Sequence, residues 1–118
     1  MAPEWADVQF CYLTTTGRRS GRAHTIEIWF AEHSGRLFLL AGGRERADWV
    51  RNLQATPAVG LRVGSYEGPA TAQVVTDRDD DALARRLLAA KYQSWTPEQP
   101  LSGWAETALA IVVMPQPR

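Results

Sequence analysis

The sequence predicts a mainly β fold, a small split barrel with helices outside its wall, and three observations carry that expectation. Six short runs rich in β-branched and aromatic residues are set off by turns containing glycine or proline. The first three runs follow one another through turns too short for a crossover, so they pair as an antiparallel meander. Only two segments have the spacing of an amphipathic helix. Six mostly antiparallel strands in one small domain favour closure, because closure removes exposed sheet edges. At 118 residues the chain is read as one domain spanning 1–118, large enough for a real core.

Each element has its own warrant. Residues 9–16 have strand content, and residues 23–32 alternate Thr25, Glu27, Trp29 and Ala31 against Ile26, Ile28 and Phe30. His33-Ser34-Gly35 reads as a hairpin turn, after which Arg36–Ala41 is a buried strand that stops at Gly42-Gly43. Asp48–Ala55 puts Trp49 and Leu53 four apart on one helical face, and Thr56-Pro57 closes that helix. Ala58–Val63 and residues 68–76 are strands around Gly64-Ser65-Tyr66. A second helix opens at Asp79-Asp80-Asp81 and ends at Lys91, with charges that complement its dipole and Leu83, Leu87 and Leu88 inward. Residues 95–103, with Pro97 and Pro100, read as an irregular loop, and residues 111–114 as the closing strand.

Composition excludes several classes of function. Apolar residues make up 45% and charged residues 22%, with Lys+Arg and Asp+Glu both at 13, which argues against disorder and against a nucleic-acid partner. The sole cysteine, Cys11, lies in an apolar run, so no internal disulfide forms and a buried core role is expected. No stretch approaches the ~20 apolar residues of a membrane helix, and the first seven residues are acidic where a leader would be basic. A cytoplasmic protein is expected, with peripheral membrane contact left open. His24 and His33 lack an acid at ligand spacing, so no metal is expected, and Ser20 lacks the histidine and acid of a nucleophilic triad.

Charge is balanced overall but not locally. Residues 17–51 hold seven arginines against four acids, an excess of three positive charges, which suits a ligand with a phosphate and carboxylates. Much of it sits in Thr14-Thr15-Thr16-Gly17-Arg18-Arg19-Ser20-Gly21-Arg22. Glycines at 17 and 21 let main-chain N–H groups converge on an anion, and the arginines and Ser20 add donors. A solvated hairpin tip explains that spacing equally well. Gly42-Gly43, Arg44, Arg46 and the start of the Asp48 helix form a second spot of the same character, where a flat ring can approach the backbone.

The ordered set Leu13 to Gly21, Ile26-Glu27-Ile28-Trp29-Phe30, Leu39-Leu40-Ala41-Gly42-Gly43, Asp48-Trp49-Val50-Arg51-Asn52-Leu53 and Pro57-Ala58-Val59 resembles the deazaflavin-dependent nitroreductase family over essentially the whole chain. The resemblance implies a split β-barrel similar to pyridoxamine 5'-phosphate oxidases. It implies an oxidoreductase that uses coenzyme F-420, a 5-deazaflavin, to pass a hydride to a small electron-poor acceptor such as a quinone, enone or nitroaromatic. Carried over by position, Arg18, Arg19 and Ser20 hold the coenzyme phosphate and His24 its polar tail, with Thr25, Ile26, Glu27 and Ile28 alongside. Trp29 lines the ring; Ala41, Gly42, Gly43 and Arg44 lie along it; Trp49 and Asn52 support that wall. Tyr92 and Trp95 belong to the stretch that covers the acceptor, which Tyr92 or water protonates. Glu27 either points into the ring pocket or pairs with an arginine, and the ion pair is favoured. Glu27 stands where nitroreducing relatives often have proline, which counts against nitroimidazoles. FMN is the second choice of coenzyme, a lipid- or haem-binding barrel is the reading from another class, and a homodimer is possible.

Overall fold

The computed structural model describes Trp5 and residues 7–116, so most of the acidic N-terminal stretch weighed as a leader lies outside the described residues. Strands β1 (Cys11–Thr16), β2 (Ala23–Ile28), β3 (Ala31–His33), β4 (Arg36–Ala41), β5 (Ala58–Val63), β6 (Tyr66–Val74) and β7 (Leu109–Pro115) form one antiparallel sheet in the order β2-β1-β5-β6-β7-β4-β3. Helices α1 (Asp48–Ala55), α2 (Arg78–Gln93) and α3 (Gly103–Thr107) complete the described fold. The sheet curls into a split half-barrel, as the mainly β reading expects.

Alternation along the strands separates two cores. Leu37, Leu39 and Ala41 of β4 and Leu109, Ile111 and Val113 of β7 face the barrel interior, where Cys11, Leu13, Val50 and Leu53 meet them. Phe38, Leu40, Ala110 and Val112 face outward onto Ala84 and Leu88 of α2. With both faces covered, β4 and β7 read as unbroken apolar runs. Asp77 caps α2 by accepting from the Asp80 N–H at 3.2 Å, and Arg36 ties the helix to β4 through Asp80 at 2.9 and 3.2 Å. Arg85 ties α2 to α3 by donating to the Ala105 and Glu106 carbonyls, each at 3.0 Å.

Three expectations are corrected. The strand expected over 23–32 is two strands, because Phe30 turns away from the ladder. Its N–H donates to the Tyr92 hydroxyl at 3.0 Å, and its carbonyl accepts from Lys91 Nζ at 3.0 Å. The loop expected over 95–103 gives way at its end to α3, started by Ser102, whose Oγ accepts from the Ala105 N–H at 3.1 Å. Closure is incomplete as well: β2 and β3 are the sheet's two edges and do not pair with each other.

Candidate functional site

The Gly-Arg turn is a built structure. Gly17 N–H donates to the Arg22 carbonyl at 2.7 Å, Gly21 N–H donates to the Gly17 carbonyl at 2.8 Å, and Gly21 takes φ +75°, where a side chain is strained. Arg22 N–H donates to Ser20 Oγ at 3.1 Å. A Cβ on Gly17 would come within 2.7 Å of Ser20 Oγ and 2.9 Å of His24 Nε2, so only glycine lets those two side chains converge there. The N–H groups of Arg19 and Ser20 find no acceptor among the described residues.

Adjacent arginines in this turn differ in their surroundings. Arg18 points back onto α1: its main-chain N–H and Nη1 donate to Asn52 Oδ1 at 3.1 and 2.9 Å, and Nη2 donates to Asp48 Oδ1 at 3.2 Å. Asn52, itself buried, donates from Nδ2 to the buried Thr15 hydroxyl at 3.2 Å. Arg19 is exposed and meets no carboxylate among the described residues. Asn52 anchors the turn and Arg18 is its strut.

Above this anchor opens a cavity of about 680 Å³. Gly17, Arg18, Arg19, Ser20 and His24 form its polar end, while Ile26 of β2 and Trp49 of α1 form an apolar end. Arg18, Arg19, Ser20, His24, Thr25, Ile26, Trp49 and Asn52 from the sequence reading all meet there. Thr15, Gly17, Ala23 and Asp48 join them.

A second cavity, of about 510 Å³, begins where the first leaves off along β2. Glu27, Ile28 and Trp29 line one side, with Leu40, Trp104, Phe10 and Gln93 around the rest. Trp29 stacks on Tyr92 with centroids 4.3 Å apart and planes 4° from parallel, and meets Trp104 edge to face at 5.5 Å and 86°. Three of these lining residues, Phe10, Gln93 and Trp104, escaped the sequence reading, while Leu40 belongs to the Leu40-Ala41-Gly42-Gly43 strand end read as open to a flat ring. The capping serine ahead of Gly103-Trp104-Ala105 was the one local signal for Trp104.

Other candidates stand elsewhere. Ala41, Gly42, Gly43 and Arg44 line neither cavity, although a Cβ on Gly42 would touch the Trp104 indole at 3.6 Å. Arg44, at φ +53°, donates to the Thr107 carbonyl and pairs with Glu45 at 3.4 Å, so it is already engaged. Trp95 donates from Nε1 to the Gln99 carbonyl at 2.9 Å, away from both cavities. The Tyr92 hydroxyl sits 2.8 and 2.9 Å from the Gln9 and Phe30 carbonyls, and burial raises its pKa. That leaves it poorly suited to protonate an acceptor. The favoured ion pair of Glu27 with an arginine is also corrected: its carboxylate accepts from the Tyr12 hydroxyl at 2.9 Å, and Arg62 lies over the Tyr12 ring instead, at 4.1 Å.

Compared with known proteins, residues 2–116 match the family described as F420H(2)-dependent quinone reductase. The chain belongs to that family. This F420H(2)-dependent quinone reductase family member is therefore an oxidoreductase whose cofactor is coenzyme F-420. Among solved structures, it is similar to an F420-H2 dependent reductase, FDR-A, with 22% identity, 88% of this chain and 92% of that one covered, and a TM-score of 0.64. It is also similar to the conserved hypothetical protein Rv2991 from Mycobacterium tuberculosis, with 17% identity, 96% and 76% covered, and a TM-score of 0.73. The haem storage protein HutZ from Vibrio cholerae shares the fold with 14% identity, 98% and 87% covered, and a TM-score of 0.76. At such identities these likenesses establish the split-barrel fold.

The residues present fit an anionic coenzyme. Gly17 holds open the cradle its own Cβ would fill, the Arg19 and Ser20 N–H groups are free beside it, and Arg19 is unneutralised. Among the described residues no helix is long and apolar enough to cross a membrane.

Proposed function

We propose that this F-420-dependent reductase holds the coenzyme's anionic part at the Gly17–Arg22 turn and reduces a planar, electron-poor acceptor, a quinone foremost, in the cavity lined by Trp29 and Trp104. The observation that carries the reading is that β2 walls both cavities in succession, Ala23 to Ile26 in the first and Glu27 with Ile28 in the second. A ligand lying along β2 from the turn would bring its far end to the aromatic cavity. When bound, the reduced coenzyme would supply a hydride, and the protein's share is positioning and electrostatics.

In this reading Arg19, Ser20 and the two free N–H groups grip phosphate, and His24 meets the tail. Arg18 and Asn52 keep the grip in place from behind. Ile26 and Trp49 exclude water from the middle of the groove, and Trp29, held parallel to Tyr92, offers a flat wall to the acceptor. The proton a reduced quinone needs comes from water, since the Tyr92 hydroxyl is committed to main-chain groups.

The test is oxidation of reduced F-420 by 1,4-naphthoquinone, followed through coenzyme absorbance. Trp29→Ala and Trp104→Ala should raise KM for the quinone while leaving coenzyme affinity close to wild type. Unchanged quinone KM in both variants would remove the aromatic cavity from the reaction.

A further inference from the structure

We propose that the aromatic cavity sorts acceptors by charge, admitting planar uncharged or cationic rings and turning away anionic ones, with Glu27 as the discriminating residue. This rests on the reading of that cavity as the acceptor site. Two of its walls are the indoles of Trp29 and Trp104, 86° apart, a corner that receives one flat ring by face and edge. Indole faces attract cations and offer anions nothing. Glu27 is the one charged side chain among the lining residues, and the other polar one, Gln93, is neutral.

The carboxylate is held where it stands. Tyr12 faces Glu27 across β1 and β2 and donates to Oε2 at 2.9 Å. No cation lies within ion-pair distance of Glu27 among the described residues; Arg62 lies over the Tyr12 ring instead. No ion pair among the described residues cancels the Glu27 charge, and Arg62 above the Tyr12 ring offsets only part of its field. The cavity at the other end of β2 has the opposite sign, with Arg18, Arg19 and His24 in its lining. One strand thus separates an anion-accepting groove from an anion-refusing one. That division also keeps the coenzyme's own anionic groups out of the acceptor's place.

The experiment measures dissociation constants of 1,4-naphthoquinone and 1,4-naphthoquinone-2-sulfonate by equilibrium dialysis. It uses the full chain with oxidised F-420 at saturation, so that the sulfonate cannot occupy the turn. Comparing the ratio of the two constants across proteins cancels the intrinsic difference between the quinones. Wild type should prefer the neutral quinone, Glu27→Gln should narrow that preference by about threefold to tenfold, and Glu27→Arg should abolish or reverse it. Raising salt from low to molar concentration should narrow it in wild type and leave it unmoved in the glutamine variant. The wild-type half of the salt arm needs no variant to fold. An equal ratio in all three proteins, a wild-type ratio indifferent to salt, or no binding of either quinone would overturn the proposal. If wild type binds naphthoquinone with the expected preference but oxidises no reduced F-420 with it, the acceptor reading fails while charge sorting stands.

Discussion

Arg18 and Arg19 are neighbours in sequence with different work. Arg19→Ala should weaken F-420 binding by about 1.5 to 3 kcal/mol, the usual range for a lost charge-assisted bond, and barely move the melting temperature because the side chain is exposed. Arg18→Ala should do the reverse in emphasis: the main-chain N–H still donates to the buried Asn52 Oδ1, but the Nη1 bond to that oxygen and the Nη2 bond to Asp48 are lost, which costs about 1 kcal/mol of stability. Calorimetric titration with coenzyme and thermal unfolding of both variants check the pair. Cys11 supplies a third expectation. Burial pushes its thiol up to about 12, so a disulfide reagent should react with the native protein only as fast as it unfolds. The same shift removes stability as pH rises from the ordinary thiol value towards about 12, since the unfolded chain gives up that proton first.

At the scale of elements, the kink between β2 and β3 is where sequence and structure part. Periodicity ran unbroken through Trp29 and Phe30, and nothing local marked the change, because the groups that bend the chain, Tyr92 and Lys91, arrive from α2 some sixty residues later. Tyr92→Phe should therefore loosen Trp29, raising KM for a quinone while coenzyme affinity stays near wild type. Steady-state kinetics beside titration would separate the two. Glu27 misled for a related reason: alternation gave its face correctly, but its partner was a tyrosine chosen by strand register, which no spacing rule reveals. The Gly-Arg turn was legible because its glycines, hydroxyl and arginines lie within nine residues; of the aromatic corner Trp29 was legible, and Phe10 and Trp104 were not, because they come from distant parts of the chain. The Arg36–Asp80 tie carries an expectation of its own. The guanidinium lowers the Asp80 pKa, so its contribution is present above the ordinary carboxylate range and is lost as pH falls through the lowered value. Asp80→Asn should lower the melting temperature at neutral pH and leave less to lose in acid, as unfolding across pH 2 to 7 would show.

For the molecule as a whole, zero net charge conceals a meander with an excess of three positive charges, and coenzyme affinity should accordingly fall as salt rises. Titration at two ionic strengths checks this, and a truncated deazaflavin without its anionic tail should bind more weakly and respond less to salt. The fold class was readable from turn chemistry and alternation alone. The unpaired edges were not, since closure and near-closure impose the same pattern on every strand.

Those two edges are consecutive in the chain, and only Trp29 and Phe30 lie between them. Covalent bonds, not a ladder, join the seam at that end: the three peptide steps from Ile28 to Ala31 can span at most about 11 Å. The seam is therefore leashed beside Trp29 and can gape only away from it, like a purse hinged at one corner. In the proposed reading, a coenzyme lying along β2 from the Gly-Arg turn points at the leashed end, and the Trp29 indole stands there.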